Sequence, residues 1–182
     1  MHVFVTGATG FIGSAVVKEL LGAGHSVLGL ARSDATAKTL AATGAAVHRG
    51  ELTDLESLKS GAAQCDGVIH TAFIHDFSKF AENAAIDKAA IEAMGAILAR
   101  SNRALIVSSG TAGLAVGQVA TEDMPPPTMS PRASETAVFS FTGQGVRTMA
   151  IRLSPAVHGY SDQGFKAGFA SVMLGAARQK GV

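Results

Sequence analysis

Short apolar segments alternate with helical segments along most of the chain, and this alternation constrains the fold more than any other feature. Residues 3–5 and 67–71 are typical of the apolar segments. Between them, side chains such as Val16 and Leu20 recur at the spacing of one helix face. Strands that alternate with helices indicate β-α-β units, whose right-handed crossovers produce a parallel sheet. The strand segments are apolar throughout, as expected when helices cover both faces of the sheet.

The order of these segments predicts an α/β fold, a Rossmann-like doubly wound parallel sheet with helices on both faces. The expected strands are 3–5, 26–31, 45–48, 67–71, 104–108 and 146–153. The expected helices are 11–21, 34–42, 55–60, 79–100, 132–142 and 165–179, with loops at 120–131 and 155–164. A length of 182 residues suits one domain, and we expect residues 1–182 to form it.

Composition limits the classes of protein that this chain can represent. Hydrophobic residues make up 47% of the chain, which excludes disorder, and a net charge of +1 gives no electrostatic footprint for nucleic acid. We see no apolar run long enough for a membrane span and no signal-peptide pattern. One cysteine cannot form an internal disulfide or a zinc cluster. We therefore expect a cytoplasmic protein without a nucleic-acid, membrane or metal partner.

A glycine-rich segment, TGATGFIG, occupies residues 6–13, between the first expected strand and the first expected helix. Gly7 would allow a tight turn, Gly10 would let a ligand approach the backbone, and Gly13 would let the helix pack closely on the sheet. The N-terminus of a helix favours phosphate groups. The segment therefore predicts a pyrophosphate site, with a plain strand-to-helix turn as the alternative. The candidate ligands are Gly7, Thr9, Gly10, Phe11, Ile12 and Gly13.

This segment resembles the cofactor loop of the short-chain dehydrogenase/reductase superfamily, and it is most similar to the extended and atypical branch of the NAD-dependent epimerase/dehydratase type. The resemblance covers nearly the whole chain. It implies a nicotinamide dinucleotide cofactor and a small carbonyl, alcohol or sugar-type substrate. It also implies further cofactor contacts, which are Glu51 and Leu52 beside the adenine, Thr71, Ala72 and Phe73 at the ribose and pyrophosphate, and Pro155 and Val157 at the nicotinamide. In the alternative for the adenine segment, Asp54 simply caps a helix.

The end of the second expected strand bears on the choice between NAD and NADP. NAD enzymes of this type usually carry an acid there, whereas this chain has Arg32 followed by Ser33. A guanidinium pairs well with a 2′-phosphate, and a serine hydroxyl adds a donor. We therefore predict that NADP is preferred and that NAD is possible. In the alternative, Arg32 is a solvated surface residue and Asp34 binds the ribose of NAD.

The catalytic set that the resemblance implies, a serine or threonine with a Tyr-x-x-x-Lys motif, is incomplete. Ser109 falls in the position of the catalytic serine, although it could simply cap the strand end. Pro131 and Glu135 stand where the tyrosine and the lysine would be. For Arg132 and Glu135 we consider a mutual ion pair, a role with a proton or a substrate charge, and a solvated helix face.

Three weaker hypotheses concern other residues. His158 and Tyr160 are candidate proton donors near the nicotinamide. His70, His75 and Asp76 contain metal-ligating groups but lack a known ligand spacing. The expected helix at 79–100 has an apolar stripe with Asp87 elsewhere, and it could form a homodimer.

Together these features predict an NAD(P)-dependent oxidoreductase or an epimerase/dehydratase-like protein. The alternative is a non-catalytic dinucleotide-binding or redox-sensing regulatory protein, which the missing tyrosine and lysine favour. Extended relatives continue beyond this length with a substrate-binding part. We therefore expect either a fragment or a short native protein that closes its site in another way, and in both cases exposed apolar surface.

Overall fold

The computed structural model describes residues 1–115, 117–126, 131–154, 159–161, 164–166 and 168–181. Its strands are β1 (His2–Thr6), β2 (Ser26–Ala31), β3 (Ala46–Arg49), β4 (Gly67–His70), β5 (Ala104–Gly110), β6 (Arg147–Leu153), β7 (Gly159–Ser161) and β8 (Gly164–Lys166). Its α-helices are α1 (Phe11–Gly22), α2 (Asp34–Ala41), α3 (Leu55–Ala63), α4 (Phe80–Leu98), α5 (Ser134–Phe139) and α6 (Gly168–Lys180). Single 3-10 turns occupy Phe77–Lys79 and Thr142–Gln144.

Strands β1 to β6 form one parallel sheet in the order β3-β2-β1-β4-β5-β6. The chain winds outward from β1 in one direction to β3 and then returns to continue from β4 to β6. The predicted Rossmann-like, doubly wound α/β fold is therefore confirmed. Ligands of such sheets bind outside the carboxyl ends of the strands, where the strand order reverses. This rule places the candidate site beyond the ends of β1 and β4.

The side chains of β1 alternate between two apolar cores, one on each face of the sheet. Phe4 packs in the larger core, which includes Leu58 of α3 and Met94 of α4. Val5 packs on the other face with Val17 of α1 and Leu40 of α2, among others. Because both faces are covered, each position in a central strand needs an apolar side chain, which explains the continuous apolar runs in the sequence.

Two helices begin at side-chain caps that affect predicted site residues. Ser33 caps α2, where its Oγ accepts a hydrogen bond from the Thr36 N–H at 3.2 Å. Asp54 caps α3, where its Oδ1 accepts one from the Ser57 N–H at 3.1 Å. The capping role considered for Asp54 is therefore confirmed. Ser33, predicted only as a cofactor ligand, therefore also caps a helix.

The C-terminal part differs from the sequence-based prediction. In place of a continuous loop at 155–164, β7 and β8 form an antiparallel pair in which Tyr160 lies opposite Phe165. The last helix begins at Gly168 instead of residue 165. Strands of three residues are too short to show an alternating pattern, so no sequence pattern indicates them.

Apolar side chains remain exposed on the outer strand β6. Met149 is 40% exposed and Ile151 is 53% exposed. Both lie on the side of β6 opposite to Ala150, which packs against the larger core. Exposed apolar side chains therefore lie along this edge of the sheet. Within the described ranges, the structure contains no helix with the length and apolar character needed to cross a bilayer.

Candidate functional site

The turn between β1 and α1 has the geometry that its glycines predict. Gly7 adopts a left-handed φ of +68°, and a Cβ there would lie 2.7 Å from the backbone nitrogen of Ala72. A Cβ on Gly13 would lie 2.0 Å from the carbonyl oxygen of Gly7. Real Cβ atoms do not approach backbone atoms so closely. Gly7 and Gly13 are therefore required for α1 to begin this close to β1 and β4.

Gly10 has a different environment, because the space beyond it is open. A Cβ on Gly10 would meet only the carbonyl oxygen of Gly7, at 3.1 Å. The Ser14 N–H donates to the Gly10 carbonyl at 2.9 Å, so the amides of residues 11–13 precede the helical hydrogen-bond ladder. The first turn of α1 contains no acidic side chain. Backbone amides that make no helical hydrogen bond, at the positive end of a helix and open to a ligand, suit a pyrophosphate. These residues therefore fit a dinucleotide.

The segment after β4 joins this turn to the centre of the sheet. The Thr71 hydroxyl donates to the Thr6 carbonyl at 2.8 Å, and Ala72 is the residue that a Cβ on Gly7 would meet. The Phe73 ring lies beneath the Arg132 guanidinium, with 4.4 Å from the guanidinium carbon to the ring centroid. The structure therefore brings residues 71–73 between the glycine turn and the segment that precedes α5.

The end of β2 carries more positive charge than the sequence analysis anticipates. Arg32 is exposed directly after β2. Asp34, the alternative ribose ligand, forms an ion pair with Arg49, with 2.7 Å between Nη2 and Oδ1. Arg49 lies at the end of β3, in register with Ala31 of β2. Two guanidiniums therefore lie at the ends of neighbouring strands. No sequence signal indicated Arg49, because its proximity follows from the register of β3 on β2.

The predicted adenine segment lies beside an apolar cavity. Leu52 lines this cavity of about 150 Å³ together with Leu55, and Ile86 and Ala89 of α4 complete the wall. The neighbouring Glu51 is exposed, and its Oε1 accepts a hydrogen bond from the Thr53 hydroxyl at 3.0 Å. An apolar cavity next to a polar rim is compatible with a flat base, and the adenine contact stays a prediction.

Ser109 lies in a polar cluster at the carboxyl ends of β5 and β6. Arg152 of β6 is its partner in the parallel register. The Arg152 guanidinium pairs with the carboxylate of Glu135, with 2.7 Å from Nη2 to Oε2 and 3.0 Å from Nε to Oε1. Ser109 also helps to lower the pKa of the Glu135 carboxyl group, so its hydroxyl lies near that group. Strands β5 and β6 and helix α5 therefore bring one hydroxyl, one carboxylate and one guanidinium together.

The environment of Glu135 favours the ionised carboxylate. Burial alone would raise the pKa of Glu135, but hydrogen bonds from Arg152 and Ser109, together with the charges of Arg152 and Arg132, outweigh burial and lower this pKa. The Glu135 side chain is only 2% exposed. Two expectations are therefore corrected: Glu135 does not lie on a solvated helix face, and the partner in its ion pair is Arg152 instead of Arg132. The parallel pairing of β6 with β5 brings this partner into place.

We expect Glu135 to make the stability of the protein sensitive to acid. Its pKa is lower in the folded state, so its stabilisation is fully present above the unfolded-state pKa of about 4.3 and is lost as the pH falls through the folded-state pKa. Glu135→Gln should therefore lower the free energy of unfolding at pH 7, and the difference from wild type should shrink below about pH 4.3. Urea unfolding at a series of pH values measures this difference. Glu56→Gln, at an exposed carboxylate, is the control, and a pH-independent difference for Glu135→Gln would contradict the expectation.

The hypotheses on metal ligands and on residues near the nicotinamide have different outcomes. His70 is fully buried and hydrogen-bonds to Thr6 and Asp87. No group of three or more histidine, cysteine or acidic side chains in the described part of the chain could hold a metal ion. Pro155, Val157 and His158 lie outside the described residues, and Tyr160 lies in β7. The nicotinamide contacts therefore stay predictions.

Comparisons with known proteins agree with the fold. Residues 3–174 match the NAD dependent epimerase/dehydratase family. The chain is 46% identical over 185 residues to the uncharacterized protein C2A9.02 of Schizosaccharomyces pombe, which covers 100% of this chain and 61% of that protein. It is 43% identical over 170 residues to the uncharacterized protein YLL056C of Saccharomyces cerevisiae, which covers 91% of this chain and 57% of that protein.

A solved structure shows the same fold at lower sequence identity. The chain is similar to the UDP-glucose 4-epimerase of Thermus thermophilus in complex with NAD, with a TM-score of 0.73 and 22% identity over 94% of this chain and 61% of that one. The chain thus spans between 57% and 61% of the length of these three proteins. Since the family match extends over residues 3–174, the chain belongs to the NAD dependent epimerase/dehydratase family.

Proposed function

We propose that the chain binds a nicotinamide dinucleotide beyond the ends of β1, β2 and β4 and acts as an oxidoreductase or epimerase/dehydratase-like protein. The substrate class that we propose is a small carbonyl, alcohol or sugar-type compound. This proposal depends mainly on the open approach to Gly10 and to the amides of residues 11–13. The NAD bound to the similar Thermus thermophilus epimerase supports this proposal. When bound, the nicotinamide would accept or supply hydride, while residues of this chain would bind and orient the two reactants.

We further propose that NADP is preferred over NAD. Arg32 and Arg49 at the ends of β2 and β3 offer positive charge to a 2′-phosphate, and Asp34 is already paired with Arg49. Arg32→Ala should weaken the binding of NADPH by about 10–150-fold, because a charge-assisted hydrogen bond contributes about 1.5–3 kcal/mol. NADH binding should change little. Fluorescence titration of both reduced cofactors measures these affinities.

The control for this experiment is an arginine at the opposite edge of the sheet. Arg147→Ala, at the amino end of β6, should leave both affinities unchanged. Equal binding of NADH and NADPH by wild type, unchanged in Arg32→Ala, would exclude the NADP preference and leave NAD as the proposed cofactor.

Ser109 is the residue that we propose to contact the reacting oxygen of the substrate. It lies at the carboxyl edge of the sheet, in register with Arg152, which is paired with Glu135. Ser109→Ala should lower the rate of NADPH oxidation with a panel of aldehydes and ketones by about 100-fold. Ser140→Ala, on the exposed end of α5, is the matched control. An unchanged rate in Ser109→Ala would contradict an enzymatic role for this serine.

A non-catalytic, dinucleotide-sensing protein is the second candidate function. The observation that favours it is the Glu135–Arg152 ion pair. At the position where a catalytic lysine is expected, the chain has the buried carboxylate of Glu135. Tight cofactor binding without turnover of any carbonyl in the panel would support this candidate. A single cytoplasmic domain and a homodimer stay predictions, and gel filtration of the purified chain tests the dimer.

A further inference from the structure

A network of hydrogen-bonded, buried polar side chains crosses the larger core and ends beside Ser109. His70, Asp87 and Ser134 are each no more than 1% exposed. The His70 Nε2 lies 3.2 Å from Oδ1 of Asp87, and the Ser134 hydroxyl donates to Oδ2 of Asp87 at 2.5 Å. On its other side, the His70 Nδ1 lies 2.7 Å from the Thr6 hydroxyl. Asp87 is therefore anchored to β1 and β4 through His70, and to α5 through Ser134.

The hydrogen-bond network continues from Ser134 to Arg132. The Arg132 Nε–H donates to Ser134 Oγ at 3.0 Å, and its Nη2 donates to the Ser108 carbonyl at 2.9 Å. The guanidinium also lies over the ring of Phe73. These contacts place a positive charge next to the residue that precedes Ser109. The charge of Arg132 also contributes to the lowered pKa of Glu135.

The hydrogen-bond directions make Asp87 the residue on which this arrangement depends. A carboxylate only accepts hydrogen bonds, so both the His70 Nε2–H and the Ser134 hydroxyl must point toward Asp87. With its proton directed at Asp87, Ser134 presents lone pairs to Arg132, whose Nε–H can only donate. An amide at position 87 would offer a donor to one of these partners and disturb this order.

We propose that Asp87 is a positioning residue, which holds the Arg132 guanidinium beside Ser109 through the hydroxyl of Ser134. This inference rests on the proposed function, in which Ser109 contacts the reacting oxygen. Arg132 then supplies a fixed positive charge in a site that lacks the expected lysine. A contact between α4 and α5 that served packing alone would be satisfied by apolar side chains, without the desolvation cost of a buried carboxylate.

The proposal is tested in the protein without cofactor, by nitrogen–proton NMR of the arginine Nε–H groups. Comparison with Arg132→Lys assigns the Arg132 signal. In wild type, this Nε–H should exchange slowly with solvent. Asp87→Asn, and independently Ser134→Ala, should accelerate its exchange by about tenfold or more, because each variant removes or reorients its acceptor. Ser134→Ala removes only a hydroxyl, and it keeps the test informative should Asp87→Asn fold poorly.

Glu92→Gln on the exposed face of α4 is the matched control, because it removes a carboxylate that is paired with Lys88 at the surface. It should leave the Arg132 signal unchanged. Slow exchange in wild type, Asp87→Asn and Ser134→Ala alike would overturn the positioning role, and so would equal acceleration in Glu92→Gln. A parallel titration of wild type with NADH and NADPH separates the two hypotheses, since absence of binding of both cofactors would contradict the proposed function without affecting the NMR result.

Discussion

Replacement of Gly10 by aspartate should abolish dinucleotide binding and leave the fold intact. Gly10 is the N-cap of α1 in an extended conformation, with φ −74° and ψ 174°, and aspartate is among the preferred N-cap residues. Its carboxylate would lie in the open space that we assign to the pyrophosphate. Two like charges about 4 Å apart repel by about 4 kcal/mol at an effective dielectric constant of about 20, which corresponds to roughly a thousandfold weaker binding.

Two measurements together test this prediction. Fluorescence titration with NADH and NADPH should show the loss of affinity, and thermal unfolding should show a melting temperature no lower than that of wild type. Gly22→Ala, at the other end of α1, is the matched control, because a Cβ there would meet no atom within 4 Å. Wild-type cofactor affinity in Gly10→Asp would contradict a pyrophosphate site at this turn.

Arg152→Met should cause the largest loss of stability among the substitutions considered. It would leave the buried Glu135 carboxylate without its ion-pair partner, and breaking a buried pair in this way costs about 3–5 kcal/mol. The guanidinium also donates to the backbone carbonyls of Thr121, Glu122 and Met124, so the segment that contains them would lose its anchor. Urea unfolding at pH 7 measures the change in the free energy of unfolding.

The double variant Arg152→Met/Glu135→Gln distinguishes an unpaired charge from a general packing defect. Removal of both charges should recover a large part of the loss, since the buried carboxylate no longer needs a counterion. Arg147→Met on the same strand, where the side chain is exposed, should cost little. An equal loss in Arg152→Met and Arg147→Met would show that the Glu135 pair contributes no special stability.

The fold could be predicted from the sequence because its central strands are short apolar runs separated by helices. The glycine turn was also predictable. The backbone leaves no room for a Cβ at Gly7 and Gly13, so the spacing of these glycines in the sequence indicates the geometry of the turn. The hairpin of β7 and β8 was not predictable, because each strand has three residues and, among the described residues, the two strands pair with each other and with no other strand.

The partners of the polar side chains depend on contacts between elements that are distant in the sequence. Arg152 interrupts an apolar strand near its end, and this interruption was a usable signal for a buried ion pair. Asp87 was placed off the apolar stripe of its helix, and this assignment was wrong. It is buried with Ile91 and Met94, which lie four and seven residues further along α4 on the same face. A stripe drawn through these positions would have flagged a carboxylate inside the core.

The outer edge of β6 has a consequence for handling the isolated chain. In the described part of the structure, β6 pairs with β5 on one side and ends the six-stranded sheet on the other. No strand among the described residues pairs with this outer edge, and Met149 and Ile151 are exposed next to it. Edges of this kind template further strands from other molecules. At high concentration, molecules of this chain should therefore associate through β6. Replacement of Ile151 by lysine should reduce this association, because a charged side chain on an edge strand disfavours pairing with another strand.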